Sequence, residues 1–331
     1  MYIIPDNAQH IGGREQQEDS FGFSAFDQED LIQKRGYLAI VADGMGGMTA
    51  GREASGIAVQ AFLQYYQDLS VKGSIPHLLR ASVLYANEMV CRFAESVGLE
   101  DMVGTTLVAA VIKEHHLYWI SVGDSRIYLF RNQELIQLTE DHVYENELLE
   151  GVARGKLSKE DVEEDPQKDA LTSYVGLQAL SDLDVNVKPF PLEAGDRILL
   201  CSDGVYGYLS EREMIESLKE SRKDVCQSII QKVLAQAHPY QDNATVAILN
   251  VHEEAVLAPV QLMEGTQRNH PVPSRKKKIL QLMLTFLVLV IVCGGGYFGY
   301  VSWVGTDKYK DWIPDKWDFF NQEKEKKEGE N

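Results

Sequence analysis

The sequence predicts an α+β fold, a layered sandwich built on antiparallel strands, and three observations carry that prediction. Between residues 105 and 138 β-rich runs follow one another without intervening helices, the connections between them are as short as EHH, GDS and NQ, and helical stretches come in adjacent pairs before and after. Strands joined so tightly are expected to run antiparallel. Strands segregated from paired helices argue against a doubly wound parallel sheet.

The elements follow in order. Residues 37–42 (YLAIVA) form a short apolar run rich in β-formers, read as a buried strand. Residues 51–68 and 75–96 repeat their apolar positions with helical period and are read as amphipathic helices. Strands are expected over residues 105–113, 117–122, 126–131 and 134–138, with polar, helix-prone sequence over 143–165. A strand at 197–201, helices at 211–221 and 225–237, and a closing strand at 244–250 complete the domain.

Composition narrows the function classes. The 331 residues are 44% hydrophobic and 25% charged, ordinary for a folded globular chain. The formal net charge is −18, and residues 253–331 hold 11 basic and 11 acidic side chains, so the acidic excess falls entirely on the first 252 residues. A nucleic-acid binder needs a clustered positive surface, which this part of the chain lacks. Cys91, Cys201, Cys226 and Cys293 show no paired spacing, so neither a disulfide framework nor a zinc knuckle is indicated and a reducing compartment is expected. The N-terminus lacks the basic region and apolar core of a secretory signal.

The C-terminal quarter reads differently. No charged residue falls between Ile279 and Thr306, and residues 279–303 are long enough to cross roughly 30 Å of hydrocarbon as a helix. Arg275, Lys276, Lys277 and Lys278 precede this segment, which places its N-terminal side in the cytoplasm. The expected organisation is a cytoplasmic catalytic domain over residues 1–252, a linker over 253–278 with a basic juxtamembrane end, a single transmembrane helix over 279–303 and an extracytoplasmic tail over 304–331.

Four aspartates stand where an expected strand meets a turn: Asp43, Asp124, Asp203 and Asp242. One Asp-Gly or Asp-Ser pair is an ordinary turn signal. Four together suggest a rigid acidic mouth of the kind that hard divalent cations require. Arg14, Glu18 and Asp19 add an arginine to two further acids. If that segment is a strand, Arg14 and Glu18 share a face, and a guanidinium beside metal ions is suited to hold a phosphate dianion. For an isolated arginine the ordinary explanation would be a surface ion pair.

The motifs GGREQQEDS (12–20), VADGMGGMTAGREAS (41–55), GTTL (104–107), VGDSRIYL (122–129), LTEDH (138–142), LLCSDGVYG (199–207) and QDNATV (241–246) occur in one order. In that order they resemble the metal-dependent protein phosphatase family, the 2C-type phosphatases, in its bacterial branch, over about residues 8–252. The resemblance implies a four-layer α/β/β/α sandwich of two antiparallel sheets flanked by helices. It implies an enzyme that hydrolyses phosphoserine and phosphothreonine through a water or hydroxide shared by two Mn²⁺ or Mg²⁺ ions. Asp43 resembles the acid bridging both metals and Gly44 the donor of a backbone carbonyl. Asp203 and Asp242 resemble ligands of the first metal, and Glu18 resembles the residue that holds the second through water. By the same resemblance Asp19 would support the site, Arg14 would bind the substrate phosphate, and Asn243 looks like a neighbour of the ligands. Asp124 with Asp203 resembles the site of a third, weaker Mg²⁺ or Mn²⁺. The implied partners are phosphorylated proteins and a Ser/Thr protein kinase working in opposition at the membrane.

The chain departs from the family pattern in three places. Met45 stands where eukaryotic members carry a histidine able to donate a proton, so the leaving group is expected to take its proton from water at the third metal beside Asp124. Met48 replaces a histidine common in bacterial members. The segment 145–180 aligns with the flap that contacts substrates, yet lacks the usual basic pattern. His115 and His116 are expected in a hairpin turn, and His142 is read as supporting the fold rather than binding metal. The rival reading is a catalytically silent module that keeps the fold as a binding or regulatory surface; the presence of Asp43, Asp203 and Asp242 argues for turnover.

Overall fold

The structure, a computed structural model, describes residues 1–47, 50–219 and 224–253. Met48, the linker beyond its first residue, the apolar segment 279–303 and the tail 304–331 lie outside the described residues, and with them the expectations they carry. Among the described residues no helix is long and apolar enough to cross a membrane.

In chain order the elements are β1 (Tyr2–His10), β2 (Asp19–Phe23), α1 (Glu29–Arg35), β3 (Tyr37–Met45), α2 (Ala50–Gln67) and α3 (Ile75–Val97). Then come β4 (Gly104–Thr105), β5 (Leu107–Lys113), β6 (His116–Val122), β7 (Arg126–Arg131), β8 (Glu134–Gln137), α4 (Tyr144–Ala153) and α5 (Lys159–Glu164). The last are β9 (Asp184–Val185), β10 (Phe190–Pro191), β11 (Arg197–Cys201), α6 (Asp203–Tyr206), α7 (Glu211–Leu218), α8 (Val225–Ala235) and β12 (Ala244–His252). One sheet has the order β1-β12-β11-β7-β8, and the other β10-β6-β5-β3-β2 with β4 beside β3 and β9 beside β6. The pairings in both are antiparallel.

Three apolar layers explain the order. Along β3, Leu38, Ile40 and Ala42 pack against α2 and α3 through Ala58, Phe62, Leu79 and Val83. The alternate residues Ala39 and Val41 turn toward the other sheet and meet Ile127, Ile198, Leu200 and Leu249. The outer face of that sheet, with Leu199, Val246 and Ile248, is covered by Val225, Ile229, Ile230 and Val233 of α8 and by Met214 and Leu218 of α7. A strand buried on both faces must be apolar at every position, which is why YLAIVA reads as a continuous run. Each fully buried Leu or Ile contributes about 1.5–3 kcal/mol of transfer free energy, which fixes the spacing of the sheets. The result is the α+β sandwich with helices outside two antiparallel sheets.

Several local expectations are corrected. Strand β3 runs on to Met45 instead of ending at Ala42, because Gly44 and Met45 pair with Thr105 and Gly104. Asp43 is therefore within a ladder. The strand expected over 105–113 is broken at Thr106, whose backbone N–H turns to the carbonyl of Asp43. Residues 11–18 are not a strand: Gly12 adopts φ 65° and the Asn243 amide donates to the carbonyls of Ile11 and Gln16, so strand alternation does not relate Arg14 to Glu18. The GDS connection makes no hairpin. It crosses between the sheets, since Val122 pairs with Leu107 while Arg126 pairs with Cys201. His116 is the first residue of β6, and the turn falls on Glu114 and His115, both left-handed. Strands β1 and β2 and helix α1 are elements that the sequence reading did not include.

Candidate metal and phosphate site

The acids converge because strand ends from both sheets meet at one edge of the sandwich. Asp19 opens β2 and lies directly opposite Asp43 in the β2–β3 register. Asp203 follows β11 as the first residue of α6, and Asp242 and Asn243 lead into β12. Asp124 sits on the crossover from β6 to β7.

Each backbone is fixed by side chains that the motifs carry. The Asp43 N–H donates to Thr106 Oγ1 at 2.9 Å, and the Asp43 carbonyl accepts from Thr105 Oγ1 and from the Thr106 N–H, each at 2.8 Å. Ser202 Oγ donates to Asp19 Oδ2 at 2.8 Å while accepting from the Thr245 N–H at 3.0 Å, which ties β2 to β11 and β12. Gln9 Nε2 donates to the Asp19 carbonyl and to Thr245 Oγ1. Glu18 is held through its backbone: its N–H donates to Asn243 Oδ1 at 2.6 Å, and its carbonyl accepts from Ser55 Oγ and the Gly44 N–H. Gly44 packs so closely that a Cβ would collide with the Gly51 carbonyl. Thr106, Ser55, Ser202 and Thr245 lie within the quoted motifs and Gln9 just before them, but their hydrogen bonds to the acids' segments become visible only in the fold.

Electrostatics register the crowding. Burial first, and then the neighbouring carboxylates of Asp19, Asp203 and Asp124, push Asp43 well above the usual carboxylate range. Burial raises Asp19 to about 6, against hydrogen bonds from Thr245 and Ser202. Asp203 rises to about 6 through burial and then the Asp242 charge, and Asp124 to about 6 through burial and then Asp203 and Asp141. Burial also raises Glu18, with Arg14 opposing it. At the more open rim, Arg14 Nη2 donates to Asp242 Oδ2 at 2.6 Å, and that bond raises the guanidinium further.

These acids mutually destabilise their charged forms, and the buried Oδ1 atoms of Asp19 and Asp203 have no hydrogen-bond partner. A divalent cation relieves both conditions, and the all-oxygen donor set suits Mn²⁺ or Mg²⁺. Among the described residues no group of three or more His, Cys, Asp or Glu side chains is placed to hold a metal ion by itself. That fits cations that keep several water ligands and take one or two carboxylates each. The residues present therefore fit the group.

The surroundings of Asp124 become visible only in the fold. Tyr206 Oη lies 3.0 Å from the Asp124 carbonyl and 3.3 Å from its Oδ2. Arg126 stacks its guanidinium 3.6 Å from the Tyr206 ring centroid and is forked onto Asp141. His142 is buried and serves the fold, with its N–H donating to the Gly123 carbonyl at 3.0 Å and Nδ1 at 3.1 Å from the same oxygen.

The chain belongs to the protein phosphatase 2C family, whose profile matches residues 8–250, and it is an enzyme of the phosphatase class. It is 37% identical over 215 residues to the serine/threonine phosphatase stp of Listeria monocytogenes, a match covering 64% of this chain and 83% of the relative. Protein phosphatase PhpP of Streptococcus pneumoniae is 30% identical over 221 residues, covering 66% of this chain and 87% of the relative. Among solved structures, the catalytic domain of the serine/threonine phosphatase PstP in complex with two manganese ions superposes with TM-score 0.60 at 28% identity, covering 76% of this chain and 99% of that one. The S. agalactiae serine/threonine phosphatase superposes with TM-score 0.63 at 28% identity, covering 76% of this chain and all of the other.

Proposed function

We propose that this chain is a metal-dependent protein serine/threonine phosphatase that removes phosphate from phosphoserine and phosphothreonine at the cytoplasmic face of a membrane, in opposition to Ser/Thr kinases. The observation that carries the reading is the convergence of Asp19, Asp43, Asp124 and Asp203, all pushed above their ordinary range, beside an arginine on the open rim. Asp43, Asp203 and Asp242, with the Gly44 carbonyl and Glu18, would hold two Mn²⁺ or Mg²⁺ ions, and Asp124 with Asp203 a third, weaker one. Bound there, the ions supply positive charge to the phosphoryl oxygens and lower the pKa of water in the site.

The protein's own part is placement. Thr105 and Thr106 hold the Asp43 main chain from one side, and Ser202 holds Asp19 from the other, so neither carboxylate must reorganise during turnover. Arg14, half exposed on the rim, exchanges its Asp242 partner for two oxygens of the phosphate. Met45 has no transferable proton, so the leaving alkoxide is protonated from the Asp124 side of the site. The catalytic domain spans residues 1–252, with a flap at 145–180. Membrane attachment rests on the charge-free stretch 279–306 and the basic run 275–278.

The test is hydrolysis of a phosphothreonine peptide by the full chain in Mn²⁺, its loss in EDTA, and a fall of more than about 100-fold in Asp203→Asn. Metal-independent turnover, or full activity in that variant, refutes the reading. Recovery of the chain in a soluble fraction without detergent refutes the membrane part alone.

A further inference from the structure

Helix α6 is a single turn that carries Asp203 at its first position and Tyr206 at its last. The phenol of Tyr206 returns to the crossover and reaches both the main-chain carbonyl and the carboxylate of Asp124, at 3.0 and 3.3 Å. The residues on either side of Asp124 are pinned from elsewhere. The Gly123 carbonyl accepts from the His142 N–H, and Ser125 Oγ is 2.7 Å from Thr106 Oγ1. The Tyr206 ring is clamped in turn. Arg126 lies 3.6 Å from its centroid, held by Asp141 through Nε at 2.9 Å and Nη2 at 2.6 Å and by Tyr128 Oη through Nη1 at 3.2 Å. A guanidinium fixed at three nitrogens is a rigid plate, and stacking on it leaves the phenol little freedom.

We propose that Tyr206 is a positioning residue that aims the Asp124 carboxylate toward Asp203, so that one turn of helix sets the spacing of the two acids that take the weaker divalent cation. The inference rests on the phosphatase reading above and adds to it a residue outside the acidic set. Its chemistry is that of a neutral donor: the one phenolic proton is shared between the Asp124 carbonyl at 3.0 Å and its carboxylate at 3.3 Å, which fixes the residue without competing for the cation. Phenylalanine at this position keeps the ring under Arg126 and removes only the hydroxyl, so the fold is retained.

The experiment compares the full chain with Tyr206→Phe, Asp124→Asn and the double variant. Each is assayed for kcat and KM on a phosphothreonine peptide in Mn²⁺, titrated with Mn²⁺ alone by calorimetry, and checked for melting temperature. Tyr206→Phe is expected to lower kcat about tenfold with KM unchanged, the scale of one hydrogen bond to a charged group. It should weaken the last and loosest Mn²⁺ binding event while leaving the tighter ones in place. In the Asp124→Asn background the same change should cost nothing further, because two residues acting through one contact are not additive. An equal loss in both backgrounds, or an unchanged Mn²⁺ isotherm, overturns the proposal and leaves Tyr206 as packing. If the wild type hydrolyses no phosphopeptide, the phosphatase reading falls on its own. The isotherms of the single and double variants then still decide whether Tyr206 governs a cation site through Asp124.

Discussion

Ser202 and Asp19 are 183 positions apart in the chain, yet the serine hydroxyl donates to the aspartate at 2.8 Å in a fully buried contact. This bond joins the two sheets at the site. Asp19 and Asp43 belong to one sheet, and Asp203 and Asp242 adjoin strands of the other.

Acid titration should reveal the crowding of these groups. Asp19, Asp124 and Asp203 sit at about 6 in the folded state against an ordinary 3.8, so the folded chain binds protons more tightly than the unfolded one. Their contribution to stability is therefore full below about pH 4 and is lost as pH rises through about 6. In EDTA, melting temperature attributable to these groups should fall across that window, and Asp203→Asn should flatten the fall. Mn²⁺ should restore the loss at pH 7 by replacing protons with cations. An identical slope in wild type and variant would remove the carboxylate cluster as its source.

Asp124→Ala separates substrates by leaving group. On a phosphothreonine peptide, whose alkoxide needs a proton, kcat is expected to drop about 100-fold. On p-nitrophenyl phosphate, whose leaving group departs unprotonated, the drop should stay below about tenfold. Equal losses on both would mean that protonation does not run through the Asp124 side.

Among the described residues Arg14 pairs with Asp242, and its side chain is half exposed. Replacing it with lysine keeps the charge and removes the fork, so KM for the phosphopeptide should rise about tenfold with a smaller change in kcat. Steady-state kinetics at saturating Mn²⁺ reads this directly, and an unaltered KM rules out phosphate recognition by the guanidinium.

Gly204 lies under the Asn243 carbonyl so closely that a Cβ would overlap it. Gly204→Ala must push α6 away from the start of β12, at a cost of about 1–3 kcal/mol. Thermal melting should show the destabilisation and calorimetry a weakened Mn²⁺ affinity. A variant as stable as the wild type would show that the two segments are free to separate.

The parts legible in the sequence were those governed by short-range rules. Buried strands announced themselves as YLAIVA and RILLC, helices by their apolar period, and Asp124, Asp203 and Asp242 by their position at strand ends. The parts that were not legible depend on distant partners. Whether GDS closes a hairpin or crosses between sheets is decided by the pairing of Val122 with Leu107 and Arg126 with Cys201, which no local signal encodes. Residues 11–18 were open to a reading as a strand, yet Asn243, more than 220 positions away, donates to the carbonyl of Ile11 and accepts from the Glu18 N–H. Tyr206 is an ordinary aromatic in LLCSDGVYG until the fold brings Asp124 beneath its hydroxyl. Strand β1 escaped notice because Pro5 and its exposed alternate residues weaken the pattern, while its pairing with β12 from Tyr2 to His10 holds it in place.

The apolar seam between the sheets acts at a distance on the chemistry. Val41 and Ala39 on one side and Ile127, Leu200 and Ala247 on the other never meet solvent or substrate. They nevertheless act as the ruler between the half of the acidic mouth rooted in one sheet and the half rooted in its neighbour. Hydrocarbon packing thus sets a tolerance for ionic chemistry, and a methyl group gained or lost in that seam would retune cation spacing without touching any polar atom.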